Sequence, residues 1–132
     1  MYLRAIQTYP VDEAPDDLMD DFREAVYKAS EQSDMPLFIF YERIDRVDPV
    51  IGFVARGRHA LFNGKLEDAV TFLKQAQRLK PDSYEAALLE AEIALKEGRS
   101  EAAKALLNEL FKDVGAPEWV RQMADSLLLK IP

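Results

Sequence analysis

Apolar side chains recur along this chain at spacings of three and four, the mark of helices that bury one face. The first run carries Leu18, Phe22, Ala25, Val26 and Ala29 and predicts a helix over 16–31. The next, with Leu37, Phe40, Tyr41, Ile44 and Val47, predicts a helix over 36–47. Its opening, Leu37 to Tyr41, is rich enough in β-formers for a short strand, but the pattern persists beyond two turns and favours the helix. Phe53, Val54, Gly57, Ala60 and Leu61 mark a helix over 50–63, and Leu66, Ala69, Val70, Leu73 and Ala76 the one after it. Ala87, Leu88, Ala91, Ala94 and Leu95 place a helix over 83–97, and Ala102, Ala103, Leu106, Leu107, Leu110 and Phe111 one over 100–113. Val120, Met123, Ala124, Leu127 and Leu128 complete the series over 117–130. Residues 1–15 have no such period and contain Pro10 and Pro15; they read as an extended lead-in with a short strand at Tyr2–Ile6.

Short motifs punctuate these runs. Asp16, Asp17, Asp20 and Asp21 crowd the start of the first helix, where carboxylates meet the positive end of the helix dipole. The alternating ligands and central glycine of a calcium loop are missing there. Asp34-Met35-Pro36 reads as a helix start. Asn63-Gly64 stops one helix and Gly98 another, Gly64 being free to take a positive φ. Pro81 closes the fourth helix, and Asp82 with Glu85 makes a capping-box-like start for the fifth. Gly115 precedes the last boundary, with Pro117 expected at the first helical position and Trp119 as a packing anchor.

Small residues stand where neighbouring helices must touch: Gly57 and Ala60 on one, Ala69 and Ala76 on the next. The design returns 34 positions later, from Gly64 to Gly98 and from Ala69 to Ala103. A helix-turn-helix unit of that period resembles the tetratricopeptide repeat. Residues 50–83 fit the pattern through Phe53, Gly57, Ala60, Gly64, Leu66, Ala69, Leu73, Ala76 and Pro81. Residues 84–117 fit it through Ala87, Ala91, Ala94, Gly98, Ala103 and Leu107, with Ser100 where an aromatic or Leu is usual and Gly115 where proline is usual. Residues 16–49 match in outline, as a degenerate first hairpin. Residues 118–132 look like the capping helix that covers the apolar flank of a last repeat.

The resemblance implies an all-α fold, a right-handed stack of helical hairpins whose first helices line a concave groove for a peptide or a partner protein. The groove positions would be Val54, Arg58 and Leu61 from one hairpin and Leu88, Glu92 and Leu95 from the next. The alternative is that some of these leucines are core and that Arg58 and Glu92 form a weak surface ion pair. Some members of the family grip a C-terminal carboxylate with Lys and Asn; Val54 and Arg58 occupy the first of those places, so that mode is not expected. The implied function is a protein-interaction module, not an enzyme. Two other readings stand beside it: a small acidic chaperone or carrier for a client protein, and a self-associating subunit. Leu37, Phe38, Phe40 and Tyr41 favour the last, offering more apolar area than one short helix buries.

Charge placement changes this picture more than its total. The chain of 132 residues carries a formal charge of −7; residues 1–49 hold 12 acidic and 5 basic side chains, and residues 50–132 hold 12 of each. An acidic balance argues against nucleic-acid partners and anionic membrane surfaces. The acidic arm reads as a solvated face, as a contact for a basic partner, or as a segment folded across the chain's own groove. There is no cysteine and one histidine, His59, beside Arg58. Neither a metal site nor a nucleophile–base pair can be assembled from that set, and the glycines form no phosphate-binding loop. No cofactor is expected. No apolar run reaches the length of a membrane span and no secretory signal is visible, so the expectation is a cytoplasmic protein.

Overall fold

The computed structural model describes residues 16–31 and 38–131, and every regular element among them is an α-helix. The readings placed on 1–15 and 32–37 lie outside the described residues. The helices are α1 (Asp16–Ala29), α2 (Phe38–Val47), α3 (Pro49–Phe62), α4 (Leu66–Leu79), α5 (Tyr84–Lys96), α6 (Ser100–Lys112) and α7 (Glu118–Leu129). Helix α2 resolves the ambiguity at 38–41 in favour of the helix.

The ends are set by local hydrogen bonds. Gly64 and Gly98 have φ of 76° and 79°. At the first, Gly64 N donates to Leu61 O and Lys65 N to Ala60 O at 2.8 Å; at the second, Gly98 N donates to Leu95 O and Arg99 N to Ala94 O at 2.8 Å. Each pair of bonds satisfies carbonyls that a helix end leaves open, and only glycine takes the left-handed turn without strain. Asp48 caps α3, its carboxylate accepting from Val50 N at 3.0 Å and Ile51 N at 3.3 Å, with Pro49 in the first turn. The cap of α5 differs from expectation. Ser83, not Asp82, accepts from Ala86 N, since it stands three residues ahead of that amide. Pro117 is the residue before α7, not the first inside it.

Helices α3 and α4 pair as one hairpin, α5 and α6 as the next, and α7 packs on α6. Contacts also join α3 to α5 and α5 to α7, so the first helices of the hairpins sit side by side and form one face of the stack. Ala69, Ala76, Ala91 and Ala103 are fully buried, which brings helix backbones together. Gly57 makes the closest approach. A Cβ built there would lie 3.3 Å from the Ala69 carbonyl oxygen, 3.3 Å from Phe72 Cβ and 2.9 Å from a Leu89 methyl. Replacing it by valine forces α3 and α4 apart and is expected to cost about 2–3 kcal/mol in urea unfolding. Gly57→Ala should cost far less, because its gain in helix propensity, up to about 1 kcal/mol, offsets the crowding. No loss in either variant would mean the helices do not touch at Gly57.

The first two helices depart from a stacked hairpin. Their main contacts are with α3, and among the described residues the pairing of α1 with α2 is not one of the principal helix contacts. The buried face of α1 is Phe22, Val26 and Tyr27, with Ser30 buried just beyond its end, while Ala25 and Ala29 of the expected stripe are only half-buried. What turns the helix to that side is polar.

Candidate interaction site

Arg58 and Glu92 stand 34 residues apart, at equivalent places on α3 and α5, so the repeat itself sets them face to face. Arg58 Nε donates to Glu92 Oε1 at 2.8 Å and Nη2 to Oε2 at 3.3 Å. The pair is buried, with 3% of Arg58 and 6% of Glu92 exposed. It is not a surface ion pair. Placing two charges in a dry interior costs several kcal/mol per ion unless the remaining donors and lone pairs are filled.

Helix α1 fills them. Arg58 Nη1 donates to the Tyr27 carbonyl oxygen at 2.6 Å, and the Tyr27 hydroxyl donates to Glu92 Oε1. That carbonyl is one of the four a helix C-terminus leaves unpaired, so the guanidinium caps α1 and meets the negative end of its dipole. Glu31, just beyond the helix, lies 3.8 Å from Nη2. The guanidinium carbon sits 4.3 Å from the centre of the Tyr27 ring and 5.0 Å from that of Phe62, within reach of cation–π attraction to both. Tyr27 in turn packs against Trp119 of α7, ring centres 5.6 Å apart and planes tilted by 54°. Through Tyr27, α1 touches α3, α5 and α7.

The electrostatics follow. Burial pushes the Tyr27 hydroxyl well above its ordinary pKa, the nearby Glu92 charge pushes it further, and Arg58 pulls only partly back. Burial works against the Arg58 charge, yet Tyr27, Glu92 and Glu31 hold its pKa above the ordinary value. A second link lies nearer the start of α1, where Arg23 Nε donates to Asp48 Oδ2 at 2.8 Å. Glu85, at the start of α5, is buried; desolvation raises its pKa although Arg23 opposes the shift. A carboxyl whose pKa is higher in the folded chain favours folding below its unfolded value, about 4.3. That contribution is lost as pH climbs through the folded value. Glu85→Gln is therefore expected to be at least as stable as the parent at pH 7, with the advantage vanishing toward pH 4. Thermal unfolding across that range checks the sign, and a variant weaker at pH 7 would reverse it.

The six groove positions read from the sequence separate into two sets. Val54 and Leu88 are fully buried in the apolar core, and Arg58 and Glu92 lie beneath Tyr27. Leu61, only 4% exposed, and the half-buried Leu95 also line, with Glu92, an open cleft of about 380 Å³. Phe62, Leu127, Ile131 and the ammonium-bearing Lys96 and Lys130 complete it. The expectation of six accessible groove residues is corrected: Val54, Arg58, Leu61, Leu88 and Glu92 are buried and only Leu95 is half-buried, because α1 already covers the middle of the groove. Tyr27, Phe62 and Trp119 were not expected there. Tyr27 falls one place off the apolar stripe, and its only sequence signal is the acidic arm's option of folding across its own groove.

A family model described as tetratricopeptide repeat matches residues 60–125, half of the chain. The chain belongs to the tetratricopeptide-repeat family. Tetratricopeptide proteins are typically interaction scaffolds without catalytic chemistry, and the matched segment includes Leu61, Leu88, Glu92 and Leu95. No curated protein and no solved structure matches the chain. Among the described residues no group of His, Asp or Glu is arranged to hold a metal, and no helix is long and apolar enough to cross a membrane.

Proposed function

We propose that this tetratricopeptide chain binds a segment of another protein on the face formed by α3, α5 and α7, with 50–83 and 84–117 as its two repeats and 118–132 as their cap. The observation that carries the reading is that this face already holds a helix, α1, seated on one residue from each of the three helices. A surface that orders one helix through a guanidinium, a carboxylate and an indole has the chemistry to order another. The cleft of Leu61, Leu95 and Leu127 extends the same face with apolar walls and a basic rim, which suits an apolar residue next to a carboxylate. Partner class is therefore a peptide or protein segment rather than a small molecule.

Panning a displayed peptide library over the full chain, then following backbone amides during titration with a hit, tests this. Shifts are expected at Leu61, Leu95 and Leu127. Shifts confined to α4 and α6 would place binding on the opposite side and overturn the groove.

A further inference from the structure

Helix α1 is held on the α3 side along its length, by Arg23 on Asp48 and by buried Phe22, but its contact with α7 is uneven. Its C-terminal end is held by Arg58, Glu92 and the ring of Trp119. Its N-terminal half instead faces the start of α7 across a cleft of about 310 Å³ lined by Asp20, Asp21 and Glu24 from α1 and by Glu118, Trp119 and Gln122 from α7. Among the described residues no cationic side chain lines that cleft. Arg23 and Lys28 offset Asp20 and Glu24 from α1's own side, at 3.5 Å and 2.5 Å, but nothing lining it on α7 does so. Within this seam the indole N–H of Trp119, whose side chain is more than nine-tenths buried, has no acceptor among the described residues. A buried donor without a partner and carboxylates of one sign on both walls each weaken the seat.

We propose that α1 is a displaceable occupant, and that the helix replacing it carries the same aromatic anchor but basic or amide side chains where α1 has Asp20, Asp21 and Glu24. This rests on the interaction reading above and deepens it by naming the partner's chemistry. A cation at those places meets Glu118, and an amide oxygen can accept from Trp119; the Tyr27 position keeps its phenol on Glu92 and its carbonyl on Arg58. The chain's own helix thus lowers the apparent affinity for a guest helix that needs its seat by the fraction of molecules in which that seat is open.

The test uses the full chain and two fluorescent peptides spanning 16–31, one unaltered and one carrying D20K, D21Q and E24K. Trp119 is the single tryptophan and reports directly on the seat. The altered peptide is expected to bind roughly tenfold more tightly than the unaltered one and to change Trp119 emission. Glu118→Lys in the protein should reverse that preference. Joining Glu24→Cys to Gln122→Cys with a short bismaleimide, in a chain otherwise free of cysteine, should abolish binding of both peptides. Equal affinities, no binding by either, or undiminished binding to the cross-linked chain would each overturn the proposal. So would a Trp119 change that tracks protein concentration alone, which would mean exchange of α1 between copies. If the two peptides fail while library hits bind the cross-linked chain at Leu61 and Leu95, the interaction function stands and only the displacement is removed.

Discussion

Replacing Arg58 by leucine is expected to lower the thermal midpoint by on the order of 10–20 °C. Leucine is apolar but shorter, so the loss combines the space left between the Tyr27 and Phe62 rings with what stays behind unpaired. Glu92 keeps its place in the interior without its counter-charge, and the carbonyl of Tyr27 loses one of its two donors, keeping the Ser30 hydroxyl. Removing one partner of a buried pair costs about 3–5 kcal/mol. For a chain of this length each kcal/mol moves the midpoint by roughly 3–5 °C. The contrast variant decides the cause. Arg58→Leu combined with Glu92→Leu removes both charges and should recover at least half of the loss, because a buried ion pair is often no more stabilising than apolar residues of like volume. If the double variant is as weak as the single one, the guanidinium acts chiefly through its bond to Tyr27 and the two rings, not through Glu92.

That double requirement explains why the hub is better understood as a device for seating α1 than as a source of stability. An apolar patch would accept a helix in several rotations. A guanidinium that needs a carbonyl and a carboxylate that accepts a hydroxyl allow few. The turn of α1 toward Tyr27 and Ser30, away from Ala25 and Ala29, is the visible consequence.

Much of this architecture can be read from residue order because the repeat makes local and global preferences agree. Gly57, Ala69 and Ala76 are small for one reason, close helix contact, and they stand at fixed offsets; Gly64 and Gly98 end their helices with the same pair of hydrogen bonds. The 34-residue offset by itself also puts Arg58 opposite Glu92. It does not say how dry that place is. Burial depends on what lies across the groove, and that is a helix outside the repeat, related to it by no period. Tyr27 breaks the stripe of Leu18, Phe22 and Val26 and so looks like a surface residue from its own helix alone. Its burial comes from Trp119, more than ninety positions later, and from Arg58 and Glu92. Ser83 in place of Asp82 is a smaller miss of the same kind as any helix boundary: two adjacent residues can each cap, and one position of register chooses between them.

Tyr27→Ala should be the other severe substitution, costing about 3–5 kcal/mol through the lost ring alone. The fully buried side chain contacts Trp119 and the guanidinium, and its hydroxyl is bonded to Glu92. Tyr27→Phe separates these contributions. It keeps the ring against both neighbours and gives up one hydrogen bond to a charged acceptor, a loss of about 1.5–3 kcal/mol. The two variants also part in their response to alkali. The Tyr27 pKa is raised well above its ordinary value, so the folded chain keeps a proton that the unfolded chain releases near pH 10. Stability from this group is therefore complete below pH 10 and falls by about 1.4 kcal/mol for each pH unit above it, until the folded value is reached. Tyr27→Phe lacks that proton and should lose correspondingly less between pH 9 and pH 11.5, so that parent and variant converge as pH rises. Phenolate absorbance recorded through the same titration should show one fewer tyrosine ionising late in the variant. Parallel pH profiles for the two proteins would mean that α1 lifts off the face and lets Tyr27 ionise before the rest of the fold gives way.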